Sequence, residues 1–367
     1  MLRFELEDFF DEYEHQAGLI NLASSDALPW SASALANEVL AEIARGSLGY
    51  PDPKRLLKPL ERALIPPAGV GLLPTSGAAE AIALAMHEIA ESRSAAECLV
   101  ALPSPSYGAF RGLASLLGLK MKQYEYRSSN DWHPNLDEMY ALANECSAFI
   151  LNNPHNPSGY VIPRLQLERI ADVLASRGAV LIVDEVFRFP DETRSAIELG
   201  RDVVVLGSLS KTHGLPGLRL GWIAARPERL ARYRTLQQYL SLTLNSFSVA
   251  VGCSVLDDLA RFDRAELVRS NRGLVMEWAQ RLRGLVSLSV PSGGTTVCVA
   301  TDHGISEQVL FKACFEAGVL IAPGNRCFER GLSPTWFRLG YGAETKLLEL
   351  GLQRLENVIR DQIEKAS

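Results

Sequence analysis

One lysine of this chain sits where an amine can act as a nucleophile. Lys211 lies in Ser208-Leu-Ser-Lys-Thr-His-Gly-Leu-Pro-Gly-Leu-Arg-Leu-Gly-Trp222, just after the apolar run Val203-Val-Val-Leu206. Such a run reads as a buried strand. A lysine just past its end is partly desolvated. Desolvation favours the neutral amine, and only the neutral amine attacks a carbonyl to form a Schiff base. The residues around Lys211 leave a second reading open, a solvated loop lysine. Other polar groups also stand at the ends of apolar runs. Val180-Leu-Ile-Val183 leads into Asp184 and Glu185, and Ala148-Phe-Ile-Leu151 leads into Asn-Asn-Pro-His-Asn-Pro-Ser-Gly159. Strand ends are where α/β sheets place ligands, and two prolines and a glycine make the second loop rigid. Leu73-Pro-Thr-Ser-Gly-Ala-Ala-Glu-Ala-Ile82 reads as a loop opening a helix. Its free N–H groups and positive dipole end suit a phosphate, though many helices begin this way.

In this order the stretches resemble the class I/II aminotransferases, the fold type I enzymes that use pyridoxal 5′-phosphate (PLP). Their signature, Ser-x-Ser-Lys followed by Gly-x-Arg-x-Gly-Tyr/Trp, stands here as Ser208, Ser210, Lys211, Gly217, Arg219, Gly221 and Trp222. The resemblance spans about Tyr50 to Arg338. It implies that Lys211 is the Schiff-base lysine and, once released, the acid/base that moves the Cα proton. Ser208, Arg219 and the backbone amides of Gly77, Ala78 and Ala79 would hold the cofactor phosphate. Tyr107 would stack on the pyridine ring, and Asn156 would donate to its phenolate oxygen. Asp184 would keep the ring nitrogen protonated. Arg338, in Trp336-Phe-Arg-Leu-Gly-Tyr341, would fork onto the substrate α-carboxylate. Tyr50 would reach the phosphate of a neighbouring subunit, which implies a homodimer. Taken alone, each has a plainer reading: Tyr107 as a packing aromatic, Asp184 as a local acceptor, Arg338 as a surface ion pair and Tyr50 as a buried structural tyrosine. His155 reads as a spacer and is assigned no role.

Three departures from the family pattern stand out. Phe187 replaces the tyrosine many members carry three residues after the aspartate, which removes one hydrogen bond to the phenolate. The glycine expected after Tyr50 has no clear match in Pro53-Lys-Arg-Leu-Leu57. Ser24, Ser25 and Asp26 stand where relatives often carry a glycine near the substrate. Asp26 reads either as a turn residue before Pro29 or as a carboxylate facing a cationic substrate side chain. Ser25, Asp26, Asn156 and Arg338 form the expected substrate set. The resemblance places transfer of an amino group from an amino acid to a 2-keto acid first. A PLP-dependent elimination with ring closure on a hydroxylated arginine, as in the capreomycidine synthase-like branch, is second. A non-enzymatic PLP-binding regulator is third.

The resemblance also implies the fold that must position these residues. The expected fold is α/β, a PLP-dependent transferase of fold type I. Residues 46–250 form a large domain with a mostly parallel, seven-stranded-type sheet, and residues 1–45 and 251–367 form a small α/β domain. The first segment reads as helix, extended piece and helix, with Ser31 or Ser33 capping the second helix. A helix carries Leu56, Leu57, Leu60 and Leu64, another runs from about Pro163 to Ser176, and Val180 to Phe187 reads as a strand. One long helical stretch is expected from Arg226 to about Arg283. The 47% hydrophobic and 22% charged residues are those of an ordinary globular chain, and a net charge of −6 gives no reason to expect nucleic acid. Six scattered cysteines without a Cys-x-x-Cys pair signal neither zinc nor disulfides. No apolar run is long enough to span a bilayer, and the acidic start lacks the marks of a signal peptide. A reduced, cytoplasmic protein is expected.

Overall fold

A computed structural model of the chain describes residues 3–37, 49–92, 98–328, 331–332 and 334–366. Its main sheet runs in the order Gly71–Thr75, Gly221–Ala225, Val203–Ser208, Val180–Asp184, Ala148–Asn152, Leu99–Ser104, Lys120–Arg127 and His133–Pro134. Only Gly221–Ala225 and the two-residue His133–Pro134 run against the others. The sheet thus holds the expected seven strands plus a short eighth at one edge. Both faces of its central strands are covered, which is why those strands read as apolar runs. Leu181, Val183, Phe149, Leu151, Val203 and Val205 face one core. Val180, Ile182, Ala148, Ile150, Val204 and Leu206 face the other.

A second sheet, ordered Ser287–Leu288, Thr296–Thr301, Thr335–Gly340 and Ala322–Pro323, is antiparallel throughout. Val268, Trp278, Val297, Phe337 and Leu352 pack around it with the helices Ala265–Arg281 and Thr345–Ala366. The first helix, Glu5–Tyr13, buries Leu6 and Phe9 against Cys298, Ala300 and Trp336 of this second sheet.

Several expected elements change on inspection. The stretch from Arg226 to Arg283 is three helices, Pro227–Leu240, Ser246–Asp257 and Ala265–Arg281. Asn245 restarts the second helix, its side chain accepting from the N–H groups of Phe247 and Ser248. The strand from Val180 ends at Asp184, three residues short of Phe187. Ser31 precedes a 3₁₀ turn without a side-chain cap bond, and its hydroxyl instead meets that of Ser33 at 2.6 Å. Most of the expected second helix, residues 38–48, lies outside the described residues. Among the described residues no helix is long and apolar enough to cross a membrane.

One extended segment ties the two sheets together. The Gly340 N–H donates to Leu22 O at 2.7 Å, and the Leu28 N–H donates to Gly342 O at 2.7 Å. From the same segment the Ala27 N–H donates to Lys211 O at 3.1 Å, and the Trp30 N–H to Gly214 O at 3.0 Å. Residues 22–30 are thereby laid against the small sheet on one side and the Lys211 loop on the other. The approach leaves no room for a side chain at Gly340, where a Cβ would sit 1.7 Å from Ser24 O. Gly340→Ala is expected to lower stability by ~1–3 kcal/mol, the scale of overpacking against unyielding backbone. Urea denaturation reads it, and an unchanged midpoint would contradict the close packing.

Candidate active site

The parallel strands end together at a cavity of about 360 Å³. Ser25, Asp26, Ala78, Ala79, Tyr107, Asn156, Asp184, Ser208, Lys211, Arg219 and Arg338 all line it. Sequence motifs far apart in the chain therefore meet at one place.

Asp184 ends the central strand, in register with Asn152 of the next. Its Oδ2 accepts from Asn152 Nδ2 at 2.9 Å, and its Oδ1 accepts from the Val186 N–H at 3.0 Å. Both donors are neutral. Burial, the largest influence, pushes its carboxyl up to about 7, more than these donors and the nearby Lys211 charge hold it down. The adjacent Glu185 faces elsewhere, accepting from Arg188 Nε at 2.7 Å and from the Ala196 N–H at 2.5 Å. The two neighbouring acids thus separate into a cavity residue and a packed ion pair.

Lys211 Nζ lies 2.5 Å from Asp26 Oδ1 and 3.1 Å from Ser25 Oγ. The extended segment described above delivers both partners. The Phe187 ring centroid is 6.0 Å from the same amine. Ser208 Oγ accepts from the Ser210 N–H at 3.2 Å.

The helix Gly77–Ser92 points its first turn at the cavity. The Ser76 N–H is taken internally by Glu80 Oε2 at 2.7 Å. The next N–H groups have no intrahelical acceptor by the geometry of a helix start. Gly77 has φ +76°, and a Cβ there would lie 2.5 Å from Arg219 Nη2. Glycine is thus needed for both backbone and space, and it lets the guanidinium close on the helix start.

Arg338 is 1% exposed. Its Nη2 donates to Ala23 O at 2.6 Å and its Nη1 to Asn156 Oδ1 at 3.1 Å. Its buried Nε has no hydrogen-bond partner among the described residues. Burial lowers the pKa to about 10, so the group stays cationic at neutral pH. Asn156 presents its oxygen to Arg338, which leaves its Nδ2 as the donor. The Tyr107 ring stands 5.2 Å from that of Phe4, and burial raises the pKa of its hydroxyl. Tyr50 is 83% exposed and does not line this cavity. The plainer reading of Tyr50 as a buried tyrosine is therefore not met within one chain.

The donor set fits PLP. A buried carboxylate with only neutral donors suits a protonated ring nitrogen. The helix start closed by Arg219 suits a phosphate. Arg338, a buried cation on the cavity wall, suits a carboxylate.

Two contributors had escaped the motif reading. The helix Glu5–Tyr13 supplies Leu6, Glu7 and Phe10 to the cavity wall. After burial, the Glu7 charge is among the causes that raise the Tyr107 hydroxyl pKa, and burial raises the Glu7 carboxyl pKa against the opposing pull of Lys211 and Arg338. No motif marks this helix, and its apolar spacing announces only packing. Asn152 was legible in principle, as the polar residue that ends the apolar run beside the Asp184 strand.

Comparison with known proteins agrees with this geometry. The family model described as aminotransferase class I and II matches residues 18–355. Capreomycidine synthase of Streptomyces vinaceus is 30% identical over 308 residues, 82% of this chain and 77% of that protein. A PLP-dependent aminotransferase from Streptococcus suis superimposes with a TM-score of 0.83 at 23% identity, over 98% of both chains. The PLP-dependent cyclase OrfR also gives 0.83 at 23% identity, over 99% of this chain and 98% of that one. At these identities the two structures show a shared fold.

The raised pKa of Asp184 has a measurable consequence in the cofactor-free protein. A carboxyl near 7 when folded and 3.8 when unfolded holds its proton longer in the folded state. Its unfavourable burial as an anion is therefore absent below about pH 4 and grows as pH rises toward 7. Asp184→Asn should match the parent's stability at pH 4 and exceed it at pH 8, as read by urea denaturation across pH. An equal difference at both pH values would contradict the assignment.

Proposed function

The chain belongs to the aminotransferase class I and II family, a PLP-dependent family, and we propose that it removes water from a hydroxylated, arginine-type amino acid and closes a ring. The observation that carries this reading is the contact of Lys211 Nζ with Asp26 Oδ1 at 2.5 Å. Bound PLP draws electrons from the substrate α-carbon. Lys211 then takes the Cα proton as general base. Transamination needs little more, because one amine can carry a proton between two carbons. Loss of water also breaks a Cβ–O bond, and hydroxide leaves poorly unless it is protonated. Asp26, a carboxylate beside Lys211, would take the abstracted proton from the Lys211 ammonium and pass it to the departing hydroxyl, so that water leaves.

Other residues take the roles the family pattern implies. Gly77, Ala78, Ala79, Ser208 and Arg219 hold the phosphate. Asp184 faces the ring nitrogen, Tyr107 covers the ring, and the Asn156 amide donates to the phenolate. Phe187 offers no hydroxyl there. Arg338 fixes the α-carboxylate, with Asn156 and Ser25 beside it. Once Arg219 and Arg338 are matched to anions and Asp26 to Lys211, the Glu7 and Glu14 carboxylates on the cavity wall are left for the substrate side chain, and a guanidinium answers them. The likeness to capreomycidine synthase supports the same substrate type. The chain acts as a homodimer in this reading, with Tyr50 reaching the partner's phosphate. Tyr50 and Phe247 are both exposed, on segments joined by the bond from Ser246 Oγ to Gly49 O at 2.8 Å.

Transfer of the amino group to a 2-keto acid is the second reading. It is supported by Asp184, Asn156, Arg219 and Arg338, which serve either reaction equally well. Mass spectrometry separates the two after PLP-loaded protein is mixed with amino acids and hydroxylated arginines, without any keto acid. Retained PLP with a dehydrated or cyclised product is expected. Pyridoxamine phosphate with a matching keto acid would establish transamination instead. In deuterated water, Asp26→Asn should retain Cα hydrogen exchange through Lys211 and lose the dehydrated product by about 10²-fold or more. Parallel loss of both would show that Asp26 only supports Lys211.

A further inference from the structure

The loop that carries Asn156 is anchored by the histidine beside it. His155 is 1% exposed, and its ring stacks on Tyr126 at 3.6 Å between centroids and 5° between planes. Its Nε2 lies 3.0 Å from Pro105 O, and its Nδ1 lies 2.8 Å from Ser158 Oγ. A carbonyl only accepts, so Nε2 carries the proton and Nδ1 is the acceptor. The Ser158 hydroxyl donates to Nδ1, and its oxygen accepts from the Tyr160 N–H at 3.3 Å. Burial keeps the ring neutral, with its pKa pushed down to about 3, which suits one donor and one acceptor nitrogen. A spacer residue would need none of this.

These bonds join two places that matter. Pro105 begins the short turn that presents Tyr107, and Asn156 follows His155 directly. The loop also closes on itself, the His155 N–H donating to Tyr160 O at 2.8 Å and the Gly159 N–H to His155 O at 2.7 Å. The small-sheet side clasps it as well. Gly159 O accepts from the N–H groups of Ser292 at 2.9 Å and Gly293 at 3.0 Å, and Ser158 O accepts from Ser289 Oγ at 2.7 Å. His155 is the imidazole bridge from this clasped loop to the Tyr107 turn.

We propose that His155 is a positioning residue, which sets the Asn156 amide and the Tyr107 ring relative to each other and so sets the geometry in which the cofactor ring is held. The proposal rests on the PLP reading of the cavity. His155 touches neither cofactor nor substrate and acts through its two neighbours.

The test uses PLP-loaded protein and reads PLP affinity and the visible absorbance of bound PLP. His155→Phe keeps a flat ring on Tyr126 and removes both ring hydrogen bonds. It should weaken PLP binding by about tenfold, the scale on which partners behind a direct ligand act. It should also shift the visible band in the same sense as Asn156→Ala. In the double variant the two effects should fall well short of additive, since both act on one contact. A lower melting temperature with unchanged affinity and band, or fully additive effects, would overturn the proposal. Should His155→Phe not fold, two milder variants separate the bonds. The amide of His155→Gln can reach toward Pro105, whereas that of His155→Asn reaches only Ser158. Gln should then retain the parent affinity and band while Asn loses them, and identical behaviour would overturn the proposal. Absence of PLP binding by the parent protein, seen before any variant is made, would overturn the cofactor reading and this proposal together.

Discussion

A carboxylate held at the end of a wholly apolar strand is the constraint around which this molecule is arranged. Val180, Leu181, Ile182 and Val183 are all buried, and Asp184 follows them without a change of environment. Burying such a group is unfavourable unless its oxygens find donors. One donor comes from the next strand, through Asn152 in register, and one from the turn that follows, through Val186. Neither is charged, so the acid remains poised for a cation brought by a ligand. The other functional groups reach the same edge because parallel strands all end there: Ser208 and the Lys211 loop on one side, the Asn156 loop on the other.

The second organising contact joins that edge to the start of the chain. Residues 22–30 form backbone hydrogen bonds to the Lys211 loop and to the small sheet. The price of this path is glycine at position 340, where no side chain fits. In return Ser25 and Asp26 stand against the reactive amine, and Ala23 O holds Arg338 in place. The lysine thus has a carboxylate as a direct proton partner and an aromatic ring 6.0 Å away.

Much of this was legible in the residues. Lys211 and Asp184 stand just past the ends of apolar runs, the family resemblance added Asn156, Arg219 and Arg338, and all five line one cavity. What was hidden depends on tertiary path. Asp26 read as either a turn residue or a substrate contact, and nothing near it in sequence pointed to a lysine 185 positions away. The first segment read only as a helix, and its seat on Trp336 and Cys298 is what brings Leu6, Glu7 and Phe10 to the cavity wall. His155 read as a spacer because its partners, Pro105 and Tyr126, are supplied by distant strands and turns. The long helical stretch after Arg226 broke in two places because short polar capping signals such as Asn245 are easily lost within an otherwise helical composition.

The central claim is that Lys211 is the amine that binds the cofactor at this edge. Borohydride reduction of the PLP-loaded protein, followed by digestion and peptide mass spectrometry, tests it most directly. The account predicts one modified peptide, carrying the reduced pyridoxyl group on Lys211, and no trapping in Lys211→Ala. A label on another lysine, or one spread over several lysines and undiminished in Lys211→Ala, would contradict it.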